Sequence, residues 1–117
     1  MPAVPFQKLS LVRLITPTSP VPDSPEDGDI HAAHIRYLSG LIEEGKILVH
    51  GPVRRLDDPR LRGMSLYPVG AEEAREYAQK DPAVLAGWFE VLVDEWLIPA
   101  RPTQIGDRVD GVIDVPD

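Results

Sequence analysis

The stretch Asp29–Pro52 reads DIHAAHIRYLSGLIEEGKILVHGP. Ile30, Tyr37, Leu38 and Leu41 recur at helical spacing, and Ile35 and Ile42 widen the stripe. Arg36, Ser39, Glu43 and Glu44 fall on the opposite side. The spacing predicts an amphipathic helix to about Glu44, stopped by Gly45. Asp29 is a plausible N-cap, and Ser24 with Pro25 at the first helical position is an earlier alternative. KILVHGPV then predicts a strand closed by Gly51-Pro52. The three histidines of the chain all lie here: His31 and His34 among helix residues, His50 near the end of the strand.

Upstream, Lys8–Thr16 is apolar and β-branched, which predicts a first strand. PTSPVPDSPEDGD between it and the helix is a proline-rich loop. Downstream, RRLDDPRLRG reads as a polar turn and Met64–Val69 as a third strand, able to pair with the second as a hairpin. Gly70 and Ala71 open a second helix, AEEAREYAQK, whose face of Ala71, Ala74, Tyr77 and Ala78 lets it lie close to a sheet. DPAVLAG is a capped turn or short helix, with Asp81 at the N-cap and Pro82 first inside. WFEVLVDEWLIP is a fourth strand. Phe89, Val91, Val93 and Leu97 share one face, and Trp88, Leu92 and Trp96 share the other with Glu90 and Asp94.

The order βαββαβ implies an α+β, ferredoxin-like fold, two helices on one face of a four-stranded antiparallel sheet. The bare face would then carry two tryptophans and a leucine, which is costly to leave in water. A homodimer with sheets packed face to face is the expected solution. Residues 1–98 form the expected domain and 99–117 an extension. Val109, Val112, Ile113 and Val115 suit an added strand, an arm across the partner, or a frayed end.

The chain has 117 residues, enough for one domain that buries roughly 65% of its unfolded surface. A net charge of −7 argues against nucleic acid and anionic membrane partners. No segment reaches the ~20 apolar residues of a membrane span. The N-terminus lacks an apolar leader core, so a cytoplasmic location is expected. With no cysteine, thiolate nucleophiles and thiolate metal sites are excluded.

On a helical wheel His34 falls inside the apolar arc, one turn before Leu38, and His31 lies at its edge. One reading is two partly buried rings satisfied by backbone or water. The other is an acid–base residue, a task suited to a group whose ordinary pKa is ~6.5. Such a histidine normally has an orienting partner. Asp81 is a candidate, although a helix cap needs no chemistry. Asp107, Asp110, Asp114 and Asp117 lack calcium-loop spacing. His31 and His34 at i, i+3 permit a shared metal without establishing one. We expect no metal and no cofactor.

HIRYLSGLIEEGKILVHGP followed by EEAREYAQKDPAVLAGWFEVLVDEW resembles the YciI-like family over roughly three quarters of the chain, from Leu9 to about Trp96. The resemblance implies a dimeric α/β barrel of ferredoxin-like subunits. It also implies a His–Asp active site. The family histidine stands eleven residues before the helix-ending glycine, here His34 before Gly45, and the family aspartate opens the DP motif, here Asp81. His31 and His50 match no family position. One member type is similar to a dehydrochlorinase of chlorinated hydroxyquinols, and muconolactone isomerases are more distant relatives of the fold. The chain departs from the family in its long first loop, in the arginines 54, 55, 60 and 62, and in its C-terminal extension.

The expected function is therefore cofactor-independent lyase or isomerase chemistry on a small cyclic, aromatic or enolisable molecule, in a pocket between sheet and first helix. His34 and Asp81 are the catalytic candidates. His31, His50, Tyr37, Arg54 and Trp88 are the substrate-binding candidates, with Arg54 suited to a carboxylate or phenolate. A loop balanced by Asp57 and Asp58 is the competing account of the arginines. The alternatives to an enzyme are a non-catalytic ligand-binding or accessory dimer and a structural role through the C-terminal arm.

Overall fold

Alternation in FQKLSLVRLI puts Ser10, Val12 and Leu14 on one side of β1 (Phe6–Ile15), and all three are buried. Ile15, which follows a register shift against β3, is buried as well. The computed structural model describes residues 6–99. The remaining elements are α1 (Asp27–Glu43), β2 (Val49–Pro52), β3 (Leu61–Tyr67), α2 (Ala71–Gln79), α3 (Pro82–Leu85) and β4 (Glu90–Pro99). The sheet order is β2-β3-β1-β4 and every neighbouring pair is antiparallel, as the ferredoxin-like expectation requires. Apart from Pro99, the expected extension lies outside the described residues.

Register places the inward side chains. Val12 pairs with Ser65 of β3 and with Val93 of β4, and Ser10 pairs with Tyr67. Val12, Leu14 and Tyr67 form the core with Leu38 and Leu41 of α1, Ile47, and Ala74 and Ala78 of α2. Burying a leucine side chain contributes roughly 1.5–3 kcal/mol, so Leu38 and Leu41 hold α1 against rotation about its axis. The two alanines are buried, as close packing of α2 demands.

Helix α1 begins two residues before Asp29. Asp27 Oδ2 accepts the Ser24 backbone N–H at 3.1 Å, and Ser24 Oγ accepts the Glu26 N–H at 3.2 Å. The earlier candidate Ser24 thus organises the start of the helix, while Asp29 sits in the first turn, where a carboxylate suits the helix dipole. At the far end Gly45 takes φ +74°, its N–H reaching Ile42 O at 2.9 Å and the Lys46 N–H reaching Leu41 O at 2.8 Å. This pair of bonds is a Schellman stop.

Helix α3 ends the same way. Gly87 takes φ +82°, its N–H bonds Val84 O at 3.0 Å, and the Trp88 N–H bonds Ala83 O at 2.9 Å. Trp88 is consequently part of the turn, and β4 starts two residues later, not at Trp88 as the alternation had implied. A Cβ at Gly87 would stand 3.1 Å from Val21 Cγ1. Val21 is exposed and can yield, so backbone strain dominates. Gly87→Ala is expected to lower unfolding stability by about 1–2 kcal/mol. An unchanged urea midpoint would refute this.

The sheet face away from the helices carries Leu11, Met64, Leu66, Leu92 and Trp96, with Arg13 Nη2 bonded to Asp94 Oδ2 at 2.7 Å. Leu92 is 38% exposed and Trp96 48%. Among the described residues no helix is long and apolar enough to cross a membrane.

Candidate active site

His34 stands four residues before Leu38 and seven before Leu41, so the rotation that buries those leucines turns the imidazole inward. Asp81 arrives from the other direction, immediately after α2. Its N–H bonds Ala78 O at 3.2 Å, its side chain caps α3, and Pro82 occupies the first turn. The two meet. His34 Nδ1 lies 2.8 Å from Asp81 Oδ1 and 2.6 Å from Oδ2. Only 13% of the histidine side chain and 1% of the aspartate side chain is exposed.

Asp81 Oδ1 also accepts the Ala83 N–H at 2.9 Å. Cap and partner are one carboxylate, so both sequence readings of Asp81 describe it. Oδ1 is within reach of both the backbone N–H and the ring, and Oδ2 adds the shorter contact to the ring. The carboxylate assigns the tautomer: Nδ1–H donates, and Nε2 on the far side of the ring carries the lone pair. Charge-assisted hydrogen bonds of this length are among the stronger ones in proteins.

The other candidates divide. His31 is exposed, with its ring centroid 6.4 Å from that of His34. Tyr37 donates its hydroxyl to Tyr77 O at 2.7 Å, tying α1 to α2. Burial, and then the Asp81 charge, raises its pKa, so the phenol keeps its proton. His50 is half-buried on β2, and burial followed by the proximity of His34 lowers its pKa. Arg54 is exposed on the β2–β3 loop. Arg60 is the arginine tied to the sheet: its Nε donates to Thr16 O at 3.0 Å, and its backbone N–H bonds Asp58 Oδ1 at 2.9 Å. Its guanidinium pairs with Glu90 Oε2 at 3.5 Å, not with Asp57 or Asp58. Trp88 meets Phe89 edge-on, with centroids 6.4 Å apart.

Phe89 itself is the contact that sequence reading assigned only to the core face. Its ring centroid lies 5.9 Å from that of His34. Ser65 was also passed over. It is buried beside Val12, and only the alternation in MSLY could have pointed it inward. Tyr67 stacks on Tyr77 at 6.2 Å, and its phenol is held protonated by burial above all.

A hollow of about 310 Å³ is lined by Leu11, Val49, His50, Met64, Ser65 and Trp96 among others, and neither His34 nor Asp81 lines it. Among the described residues no group of three His, Cys, Asp or Glu side chains is placed to hold a metal ion.

The YCII-related domain family matches residues 12–97. No curated protein sequence matches the chain. Among solved structures it is similar to 5-chloro-2-hydroxyhydroquinone dehydrochlorinase (TftG) from Burkholderia phenoliruptrix AC1100, in complex with 2,5-dihydroxybenzoquinone. The identity is 24% and the TM-score 0.52, covering 75% of this chain and 92% of that one.

Proposed function

The chain belongs to the YCII-related family, and from that footing we propose that it is a small cofactor-independent enzyme with His34 as acid–base residue and Asp81 as its orienting partner. The observation that carries this reading is the buried contact between His34 Nδ1 and the Asp81 carboxylate. Asp81 is enclosed and already committed to the α3 cap, so it holds the ring and does not reach a substrate. Nε2 takes a proton from an acidic C–H or O–H of a small cyclic, aromatic or enolisable molecule. The ionised carboxylate stabilises the imidazolium that results. Returning the proton to another carbon gives an isomerisation, and releasing a leaving group from the carbanion or enolate gives an elimination. The dehydrochlorinase activity of the structural neighbour supports the second of these.

A screen of lactones, quinols and cyclic ketones in D2O, followed by NMR, tests the reading. Deuterium incorporation or loss of a leaving group is the expected result. The hollow on the sheet, set apart from His34, favours a second reading, a dimer that binds a small molecule without turning it over. Retention of a screened compound with neither exchange nor product would select that reading.

In this proposal the working unit is residues 1–98 with 99–117 as an appended arm, acting in the cytoplasm as a homodimer and binding neither nucleic acid nor membrane. The half-exposed Trp96 and its apolar neighbours supply the paired surface. Trp96→Glu would place a charge in that surface and is expected to convert dimer to monomer in sedimentation equilibrium. A wild-type chain that sediments as a monomer would dispose of the sheet-to-sheet dimer.

A further inference from the structure

Among the described residues, polar side chains join α1 to the α2–α3 segment at two places. One is the contact of His34 with Asp81. The other runs from the Tyr37 hydroxyl to Tyr77 O at 2.7 Å. Tyr37 follows His34 by three residues, so the two side chains leave neighbouring positions on α1, about 4.5 Å apart along its axis. Tyr77 precedes Asp81 by four residues, across the turn that ends α2. A single contact lets two elements pivot about it. Two contacts between the same elements fix their separation and their rotation together.

The carbonyl that Tyr37 holds belongs to the last turn of α2, where a helix leaves its final carbonyls without intrahelical partners. Tyr77 O accepts the Lys80 N–H at 3.2 Å, and the Asp81 N–H reaches Ala78 O, also at 3.2 Å. Both bonds stand at the long end of the normal range. The backbone alone therefore holds the turn that delivers Asp81 only weakly, and the Tyr37 bond is shorter than either. Burial, and then the Asp81 charge, keeps the Tyr37 phenol protonated, so it remains a donor at neutral pH.

We propose that Tyr37 is a positioning residue: its hydroxyl clamps the end of α2 to α1 and so keeps the Asp81 carboxylate in register with His34 Nδ1, without contacting the substrate. The proposal rests on the reading of His34 and Asp81 as the acid–base centre. The single proton of the hydroxyl is committed to Tyr77 O, which is why the role is geometric. Without it the His34–Asp81 contact must hold two elements by itself, and the ring gains freedom to turn. A displacement of about 1 Å in a reacting geometry can cost about 10²-fold in rate.

Tyr37→Phe in the full chain is the test, since it keeps the ring and removes only the hydroxyl. Ser10→Ala is the matched comparison: Ser10 Oγ donates to Val69 O at 2.6 Å, so it loses the same kind of bond on the far side of the core. Two readouts are taken, the downfield NMR signal of the His34 Nδ1–H and the steady-state rates on whichever screened compound reacts. Tyr37→Phe is expected to move or broaden that signal and to lower kcat about tenfold, with KM within about twofold. Ser10→Ala should lower the urea midpoint comparably and leave signal and kcat in place. An unchanged signal in Tyr37→Phe overturns the proposal, as does the same disturbance in Ser10→Ala. A raised KM at constant kcat also overturns it, because the hydroxyl would then be a substrate contact. If His34→Gln abolishes turnover while the signal ignores Tyr37, the acid–base reading stands and this one fails. If the signal follows Tyr37 but turnover ignores His34, the clamp stands and the acid–base reading fails.

Discussion

Replacing His34 by glutamine is expected to lower turnover of whichever screened compound reacts by about 10²–10⁴-fold, the usual contribution of a positioned acid–base group. Glutamine is the informative choice. Its amide N–H2 can still donate to the Asp81 carboxylate, so the enclosed charge keeps a partner and the α3 cap stays in place. What disappears is the ring nitrogen that serves as the acid–base group of the proposal. His31→Gln provides the internal control. That ring is exposed, and its neighbour across 6.4 Å is the His34 ring itself. Its replacement should leave turnover within about twofold, since surface substitutions rarely disturb their surroundings. Steady-state rates for the two variants decide the matter. Equal losses, or a His34→Gln enzyme with wild-type kcat, would remove His34 from the chemistry.

The distinction between the two histidines was legible because a helix makes it so. His34 shares a face with Leu38 and Leu41, His31 lies to one side, and the buried leucines decide which ring turns in. The stop at Gly45 was legible for a similarly local reason, a glycine where the backbone requires positive φ. Asp81 was legible as a cap, since Asp-Pro is a local signal, yet its bond to His34 spans 47 positions and no spacing rule reaches that far.

The features that escaped are non-local. β3 starts at Leu61 because Leu61 and Gly63 pair with Ile15 and Leu14 of β1, partners that a scan along the loop cannot see. The adjacency of His50 and Ser65 depends on hairpin register, which the intervening loop sets. Trp88 was misplaced because its N–H is taken by the α3 stop, a tertiary commitment that overrides the alternation continuing through it. His34 and Phe89 come from elements far apart in the chain, and their contact arises only when α1 and the α3–β4 turn pack together.

Asp81 is where stability and chemistry should come apart. Asp81→Ala strips the cap from α3, worth about 1 kcal/mol. It also leaves the enclosed His34 Nδ1–H without an acceptor, worth about 1–3 kcal/mol more. Together these predict a loss of about 2–4 kcal/mol in unfolding free energy, a large share of the 5–15 kcal/mol typical of a domain. Asparagine acts differently. Its carbonyl can still accept the Ala83 N–H, and Asn is as good a cap as Asp. Its second terminal atom is now an N–H2 donor facing His34 Nδ1. A donor there forces Nδ1 to accept and moves the ring proton to Nε2, the nitrogen needed as base. Asp81→Asn should therefore unfold within about 1 kcal/mol of wild type and yet lose activity on the scale of His34→Gln. The double variant His34→Gln/Asp81→Asn should be no slower than either single one, because residues that act as a unit do not add. Urea melts beside kcat measurements read both quantities. Wild-type turnover in Asp81→Asn, or an Asp81→Ala protein as stable as the wild type, would show that the buried contact neither orients the ring nor holds α3.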